Sequence, residues 1–409
     1  MNATGFKFAK MSDVIKQSQL KNPNKIILNM GRGEPADPPH PSIIEALKKQ
    51  LDDPSCHRYT DNDTTDFLAA AATYLQNLYH VSLDPSTEII HAIGIKSALS
   101  ILPKCFFEPG KGDIALTTFP GYDIFSHHAR FLGAEVVELI LKEDNRFLPD
   151  LASLSPEILK KIKALLLNYP NNPTGKMPPK DFYEETVHWA TKHNISIIHD
   201  ASYGPLVYNH PPFSIFQIKG AKDIAVELHS LSKTHNMPGW RIGFVCGNPH
   251  IIKTYSIFKN FADSGQFLPI QKAAATALNN LSIPIESKEK YSRRLDELVI
   301  LLNSLGFQAK KPDGTFYLYL PAPTQVEYNN CTYEFSTAEA FSLWLIEHLS
   351  IVTIPWDEVI PHIRFSVTFK TFDDKLFFEE LKNRLGRVKF RFSQEAHLPM
   401  VVEGFDTKY

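Results

Sequence analysis

The chain has 409 residues, 43 Lys+Arg against 45 Asp+Glu, and a formal net charge of −2. At about 150 residues per domain this length suggests roughly two or three domains, and 43% apolar with 22% charged residues is the composition of a globular protein with a large core. The near-zero charge argues against a polybasic nucleic-acid binder, and no run approaches the ~18 consecutive apolar residues that a membrane-spanning helix needs.

Met1 to Leu20 mixes Lys7, Lys10, Asp13 and Lys16 with polar residues and has no apolar h-region, so no secretory signal is expected. Cys56, Cys105, Cys246 and Cys331 are far apart, with no CxxC and no His at zinc-ligand spacing. They read as reduced, buried thiols in a cytoplasmic protein.

In chain order, the apolar run Lys25 to Asn29 leads into Gly31-x-Gly33-x-x-Ala36. This resembles a dinucleotide fingerprint, which requires a helix to open at its third small residue. Asp37-Pro38-Pro39-His40-Pro41 cannot continue a helix. A glycine turn that approaches a ligand or the other domain is the better reading.

From about Glu88 to Gly247 short apolar runs recur. They are Ile89 to Ile93, Asp113 to Thr117, Ala134 to Ile140, Ala164 to Leu167, Ile195 to Ile198, Ala225 to Leu228 and Ile242 to Val245. Helix-length stretches such as Gly121 to Leu132 and Lys180 to His193 lie between several of them. The alternation predicts an α/β fold with a mostly parallel sheet covered by helices on both faces. Ligands in such sheets bind at the carboxyl ends of the strands.

After Phe267 the pattern predicts helices over Pro269 to Leu281 and Glu286 to Leu305. A strand over Gly314 to Tyr319 follows, then a helix over Thr337 to Leu349. Strands at Ile351 to Ile354 and Ile363 to Thr368 precede a helix over Asp373 to Leu385. This is a smaller α/β unit. The expected division is an N-terminal segment, 1–48, joining the small domain, then a large domain 49–282, a small domain 283–390 and a tail 391–409.

Four features fall where central strands should end. Asn168-Tyr169-Pro170-Asn171-Asn172-Pro173-Thr174-Gly175 is a rigid turn that would aim the Asn172 amide at a fixed place. His199-Asp200-Ala201-Ser202-Tyr203 puts an acid at the end of a buried strand, where it is costly without a partner. Either capping or a cationic partner, such as a protonated pyridine nitrogen, would serve Asp200. Tyr203 can donate to a nearby oxygen.

Ser230-Leu231-Ser232-Lys233 places one lysine among hydroxyls, with Arg241 eight residues on. A buried lysine can form an imine with a carbonyl, and Ser230, Ser232 and Arg241 can hold a phosphate. Gly94-Ile95-Lys96 opens a helix whose free N–H groups suit an anion. Together these supply what pyridoxal 5'-phosphate requires, and Tyr122 in Phe119-Pro120-Gly121-Tyr122 could stack on its ring.

With these motifs the chain resembles the fold-type I (class I/II) aminotransferases over about Lys25 to Arg387. The resemblance implies a large domain with a mostly parallel sheet and a smaller α/β domain. It implies that Lys233 bonds the cofactor and acts as general base. Asp200 would meet the ring nitrogen, and Asn172 and Tyr203 the ring oxygen. Tyr122 would stack, while Ile95, Lys96, Ser230, Ser232 and Arg241 would hold the phosphate. Arg364, in His362-Ile363-Arg364-Phe365-Ser366, matches the arginine that pairs with the substrate carboxylate, and Gly33 the glycine that closes over it. Tyr59 matches a tyrosine that reaches the phosphate of the neighbouring subunit, which implies a homodimer with shared active sites. The substrates implied are an amino acid and a 2-oxo acid, exchanged in ping-pong fashion.

Two runs, Glu227 to Phe244 and Asp263 to Ala274, resemble the LL-diaminopimelate aminotransferases of lysine and cell-wall synthesis. His235, Pro238 and Thr64 depart from the family pattern, as does a short loop at Pro355 to Pro361. An aspartate, alanine or aromatic aminotransferase, a β-lyase, or a non-catalytic relative are the alternatives. There is no G-x-S-x-G elbow of a hydrolase, and His127, His128, His188 and His193 read as surface or packing residues.

Overall fold

The computed structural model describes residues 11, 13–20, 23, 25–60, 64–263, 265–357 and 360–392. Residues 393–409, most of the expected tail, lie outside the described residues, as do residues 1–10. The chain divides into two compact units. The larger is Gly33–Arg293 with Pro312–Tyr317; the smaller takes residues up to Arg32, Arg294–Lys311 and the chain from Leu318.

Strand β1 (Leu28–Asn29) belongs to the smaller unit. The larger unit contains β2 (Ile89–Ala92), β3 (Ile114–Phe119), β4 (Glu135–Ile140), β5 (Ile162–Asn168), β6 (Ser196–Asp200), β7 (Ala225–Ser230) and β8 (Gly243–Gly247). They form one sheet in the order β2-β8-β7-β6-β5-β3-β4. All seven predicted strands are present. Neighbours from β4 through β7 pair in parallel, and only β8 runs against its neighbours β2 and β7.

The strands are apolar on both sides because both faces are covered. Leu165, Leu167, Ile197 and Phe244 join one core with Phe67, Tyr183 and Ala273 from the helices Thr65–Tyr79, Lys180–His193 and Leu268–Leu278. The alternate residues Ala164, Leu166, Ile198, Val226 and Val245 join a second core. Ala98, Phe125 and Ile252 enter it from Ile95–Ile101, Ile124–Phe131 and Pro249–Ala262. Edge strand β4 is instead half exposed, and its Glu138 meets Arg130 at 3.0 Å. Charge on an edge strand discourages pairing with another chain.

One fully buried carboxylate sits under this sheet. Glu227 of β7 accepts from His199 Nδ1 at 2.8 Å, His229 Nε2 at 2.7 Å and the Ile215 N–H at 2.8 Å. His199 lies opposite Glu227 in the β6–β7 register, and His229 is two residues along β7, on the same face. Burial alone would raise the Glu227 carboxyl. The bonds to both imidazoles outweigh it and hold the group well below the usual range.

The smaller unit contains three short sheets. Its strands are β9 (Tyr317–Pro321), β10 (Gln325–Tyr328), β11 (Cys331–Glu334), β12 (Ile351–Val352), β13 (Ile354–Trp356), β14 (His362–Ser366) and β15 (Lys389–Arg391). β1 pairs with β12, β14 lies between β13 and β9, and β10 lies between β11 and β15. The single strand expected at Ile351 to Ile354 is two strands in different sheets. The break falls at Thr353, whose hydroxyl bonds Ser342 Oγ at 3.0 Å. Pro355 and Trp356, read as loop, close β13.

The β10–β11 hairpin and β15 were not predicted. Asn329 and Asn330 turn the hairpin, both with positive φ (50° and 62°), as a two-residue hairpin turn of this kind requires. Arg294, 2% exposed, clamps the unit from within. It forks onto Asp374 at 2.9 and 2.7 Å and donates to the carbonyls of Val367 and Phe369.

Glu227→Ala leaves two buried imidazoles and one N–H without their acceptor. Breaking a buried ionic network in this way costs about 3–5 kcal/mol. A urea titration of the variant is expected to show that loss; an unchanged midpoint would mean that the network contributes nothing to stability.

Candidate active site

The carboxyl ends of β2, β3, β5, β6 and β7 lie along one edge of the sheet. Because β8 is reversed, its amino end, preceded by Arg241, reaches the same edge. Asn168 pairs with Asp200, Asp200 with Leu228, Ser230 with Gly243 and Gly243 with Ala92. Residues distant in sequence therefore become neighbours across a few strands.

Asn168 closes β5. Its amide donates to the Asp200 carbonyl at 3.1 Å and its oxygen accepts from the Asn172 N–H at 3.0 Å. Asn171 turns inward and accepts from the N–H and hydroxyl of Thr174. The turn carrying Asn172 is thereby fastened to the end of β6.

Asp200 is buried. Its Oδ1 accepts from the Ser202 N–H at 3.0 Å and the Ser202 hydroxyl at 2.5 Å. Burial nevertheless raises its pKa, with the bonds from Ser202 and the nearby His199 and His229 opposing. A cation facing the free side of this carboxyl would complete the compensation. The Tyr203 hydroxyl lies 3.0 Å from that of Tyr317, and both rings are buried.

β7 ends at Ser230, whose Oγ accepts from the Ser232 N–H at 3.2 Å and opens the short helix Leu231–Thr234. Lys233 lies in that turn, its Nζ donating to the Gly33 carbonyl at 2.5 Å. The 3₁₀ turn Pro238–Trp240 returns the chain to Arg241, which adopts a left-handed conformation (φ 55°) and bonds the Pro238 carbonyl at 2.8 Å. Its guanidinium lies against Gly94, where an added Cβ would stand 2.2 Å from Nη2. Gly94 has φ +73° and precedes Ile95 and Lys96, the first residues of the Ile95–Ile101 helix. A side chain at Gly94 would displace the arginine from these N–H groups.

Tyr122 follows β3 and is 37% exposed. Its hydroxyl is pushed up to about 12, first by partial burial and then by the Asp200 charge, with Arg241 opposing. The larger unit thus gathers Lys233, Gly33, Asp200, Tyr203, Asn172, Tyr122, Ser230, Ser232, Arg241, Ile95 and Lys96 on the edge loops and turns of one unit. Tyr59 belongs to it too, but is 93% exposed. Arg364 lies in β14 of the smaller unit, 6% exposed, with Nη2 3.4 Å from the Gly31 carbonyl.

The sequence matches the family "aminotransferase class I and II" over residues 25–373. The chain belongs to this family. It is 39% identical to an LL-diaminopimelate aminotransferase of Methanocaldococcus jannaschii, over 95% of this chain and 94% of that protein. It is 36% identical to the transaminase BacF of Bacillus subtilis, over 88% and 90%. The substrate-bound structure of BacF superposes with a TM-score of 0.82 at 34% identity, covering 94% of this chain and 98% of that one. The protein is an aminotransferase with the fold-type I architecture that its motifs led one to expect.

Some contacts in this aminotransferase were not expected from sequence. Ser202 and Tyr317 hold Asp200 and Tyr203, and Gly94 makes room for Arg241. Ser202 was legible as a hydroxyl two residues after the acid. Tyr317 was not, being 114 residues from its partner. Of the departures, Pro238 starts the turn to Arg241 and Thr64 directly precedes the Thr65–Tyr79 helix. His235 is buried beside Tyr74, with Nδ1 2.7 Å from the Thr234 hydroxyl.

Burial pushes His235 down to about 3. The unfolded chain protonates it near its ordinary value of about 6.5, so between these limits the unfolded state binds more protons. Stability therefore falls as pH drops through this window, by about 1.4 kcal/mol per pH unit from this group. His235→Phe should remove that part of the slope. Urea midpoints at about pH 6 and about pH 5 check it: parallel declines in variant and wild type would refute the assignment.

Proposed function

We propose that this aminotransferase works with pyridoxal 5'-phosphate and that its physiological reaction exchanges an amino group between LL-diaminopimelate and 2-oxoglutarate. The observation that carries the cofactor reading is the convergence of Lys233, Asp200 and Arg241 on one sheet edge. The residues fit the group. The buried Asp200 carboxyl lacks only a cationic partner, and Arg241 rests on bare backbone at Gly94 beside the free N–H groups of Ile95 and Lys96.

When bound, the cofactor supplies a carbonyl carbon for the amino group and an electron-withdrawing ring. Asp200 would hold the proton on the ring nitrogen, while Asn172 and Tyr203 would donate to the ring oxygen. Ser230, Ser232, Arg241 and the N–H groups of Ile95 and Lys96 would hold the phosphate, and Tyr122 would cover the ring. Lys233 would be the general base, its amine taking the proton from the substrate Cα and holding it at Nζ for return. Arg364 offers a planar fork that would suit a substrate α-carboxylate better than lysine. The exposed Tyr59 fits a role in a second subunit's site, and hence a homodimer. Four free cysteines among the described residues fit a reducing, cytoplasmic setting, although only Cys56 and Cys246 are buried as expected and Cys331, on a hairpin strand, is exposed.

The substrate reading rests on likeness to several LL-diaminopimelate aminotransferases at 35–39% identity. BacF is nearly as similar, so a panel of donors is the direct test. Purified enzyme is mixed with LL-diaminopimelate, aspartate, alanine, phenylalanine or tyrosine, without acceptor, and the loss of the visible band is followed. Fastest conversion by LL-diaminopimelate is expected; preference for an aromatic donor would overturn the substrate reading alone. Lys233→Ala should fold normally but lose at least about 10³-fold in turnover, since it removes both covalent attachment and the general base. Full activity in that variant would overturn the mechanism.

A further inference from the structure

Gln266 lies just ahead of the Leu268–Leu278 helix, outside the set assigned to the cofactor, and is 7% exposed. Its side-chain amide donates to two successive carbonyls, Trp240 at 3.1 Å and Arg241 at 2.7 Å. Its own carbonyl accepts from the Thr60 hydroxyl and from the fully buried Gln271 amide, both at 2.8 Å. The neighbouring Gly265 has φ +85°, and an added Cβ would stand 2.0 Å from the Thr60 carbonyl. The Tyr59–Thr60 segment is thus pressed onto bare backbone beside Gln266.

These contacts meet at the one residue of the phosphate cup in an unfavourable backbone conformation. Arg241 is left-handed, a region that residues with a Cβ avoid. Nothing in the arginine side chain favours it. The Gln266 amide ties down the carbonyls of the two peptides that flank the Arg241 Cα, and this sets the direction in which the guanidinium leaves the chain toward Gly94.

We propose that Gln266 is a positioning residue for Arg241, so that one buried amide behind the cup sets the cationic donor to the cofactor phosphate. The inference rests on the pyridoxal 5'-phosphate reading and goes beyond it, because Gln266 itself touches no cofactor. It makes the strength of phosphate binding depend on a side chain behind the cup. The other pole, Lys233 and Asp200, does not depend on it.

That asymmetry supplies the test. Gln266→Met keeps the length of the side chain and removes the donor; Gln266→Asn keeps the amide but cannot span both carbonyls. Apo-enzyme of each variant is titrated with pyridoxal 5'-phosphate and, separately, with pyridoxal, which lacks the phosphate. The expected result is about tenfold weaker binding of the phosphorylated compound, the scale of two lost hydrogen bonds. Pyridoxal binding and the position of the visible band should stay as in wild type. Unchanged phosphate-ester binding in both variants overturns the inference. So does equal weakening of both compounds, which would mark Gln266 as a structural residue without a special link to Arg241. Wild-type protein that binds neither compound overturns the cofactor reading itself. Should Gln266→Met fail to fold, Gln266→Asn carries the same comparison.

Discussion

A carboxylate buried at the end of a central strand is the constraint around which the larger unit is organised. Asp200 is buried and receives two donors from Ser202, yet burial still raises its pKa. It therefore stands ready for a positive partner. The surroundings keep it in place. Asn168 bonds its backbone from one side, and the β7 strand pairs with it from the other. A buried aspartate without a cationic partner costs the fold stability, and a cationic ligand would offset that cost.

The second organising feature is the reversal of β8. A parallel β8 would leave its amino end, and Arg241 with it, at the opposite edge of the sheet. Running antiparallel to β7, it needs only a short connection from Ser230, and that connection carries Lys233. One local turn therefore delivers a hydroxyl pair, an amine and a guanidinium to the same place. The left-handed backbone of Arg241 and the empty space at Gly94 are the local consequences of closing that turn tightly.

Buried polar groups elsewhere support this edge rather than act at it. Glu227 satisfies two imidazoles on one face of the sheet, and those imidazoles in turn favour the charged form of Asp200. Gln266 does the corresponding work behind Arg241. Each network is fully inside the larger unit, where a low dielectric makes satisfied hydrogen bonds rigid and unsatisfied ones costly. Rigid support of this kind is what lets a few side chains hold a small ligand in one orientation.

Much of this was legible in the order of residues. Apolar runs announced every strand of the large sheet, most plainly the central ones, because a strand covered twice has no polar face to blur its pattern. The strand-end motifs announced Asp200, Asn172, Lys233 and Arg241, since polar and turn residues stand out against such runs. The β10–β11 hairpin was missed because its strands, Gln325–Tyr328 and Cys331–Glu334, are half exposed and mix polar with apolar residues. Residue types and their spacing by themselves determined the α/β class, the family and the chemistry on offer. Only the tertiary structure decided which strand runs backwards, that Tyr317 meets Tyr203, and that Gln266 stands behind Arg241. Those contacts join residues 25 to 114 positions apart, and no local period encodes which distant side chain fills a given space.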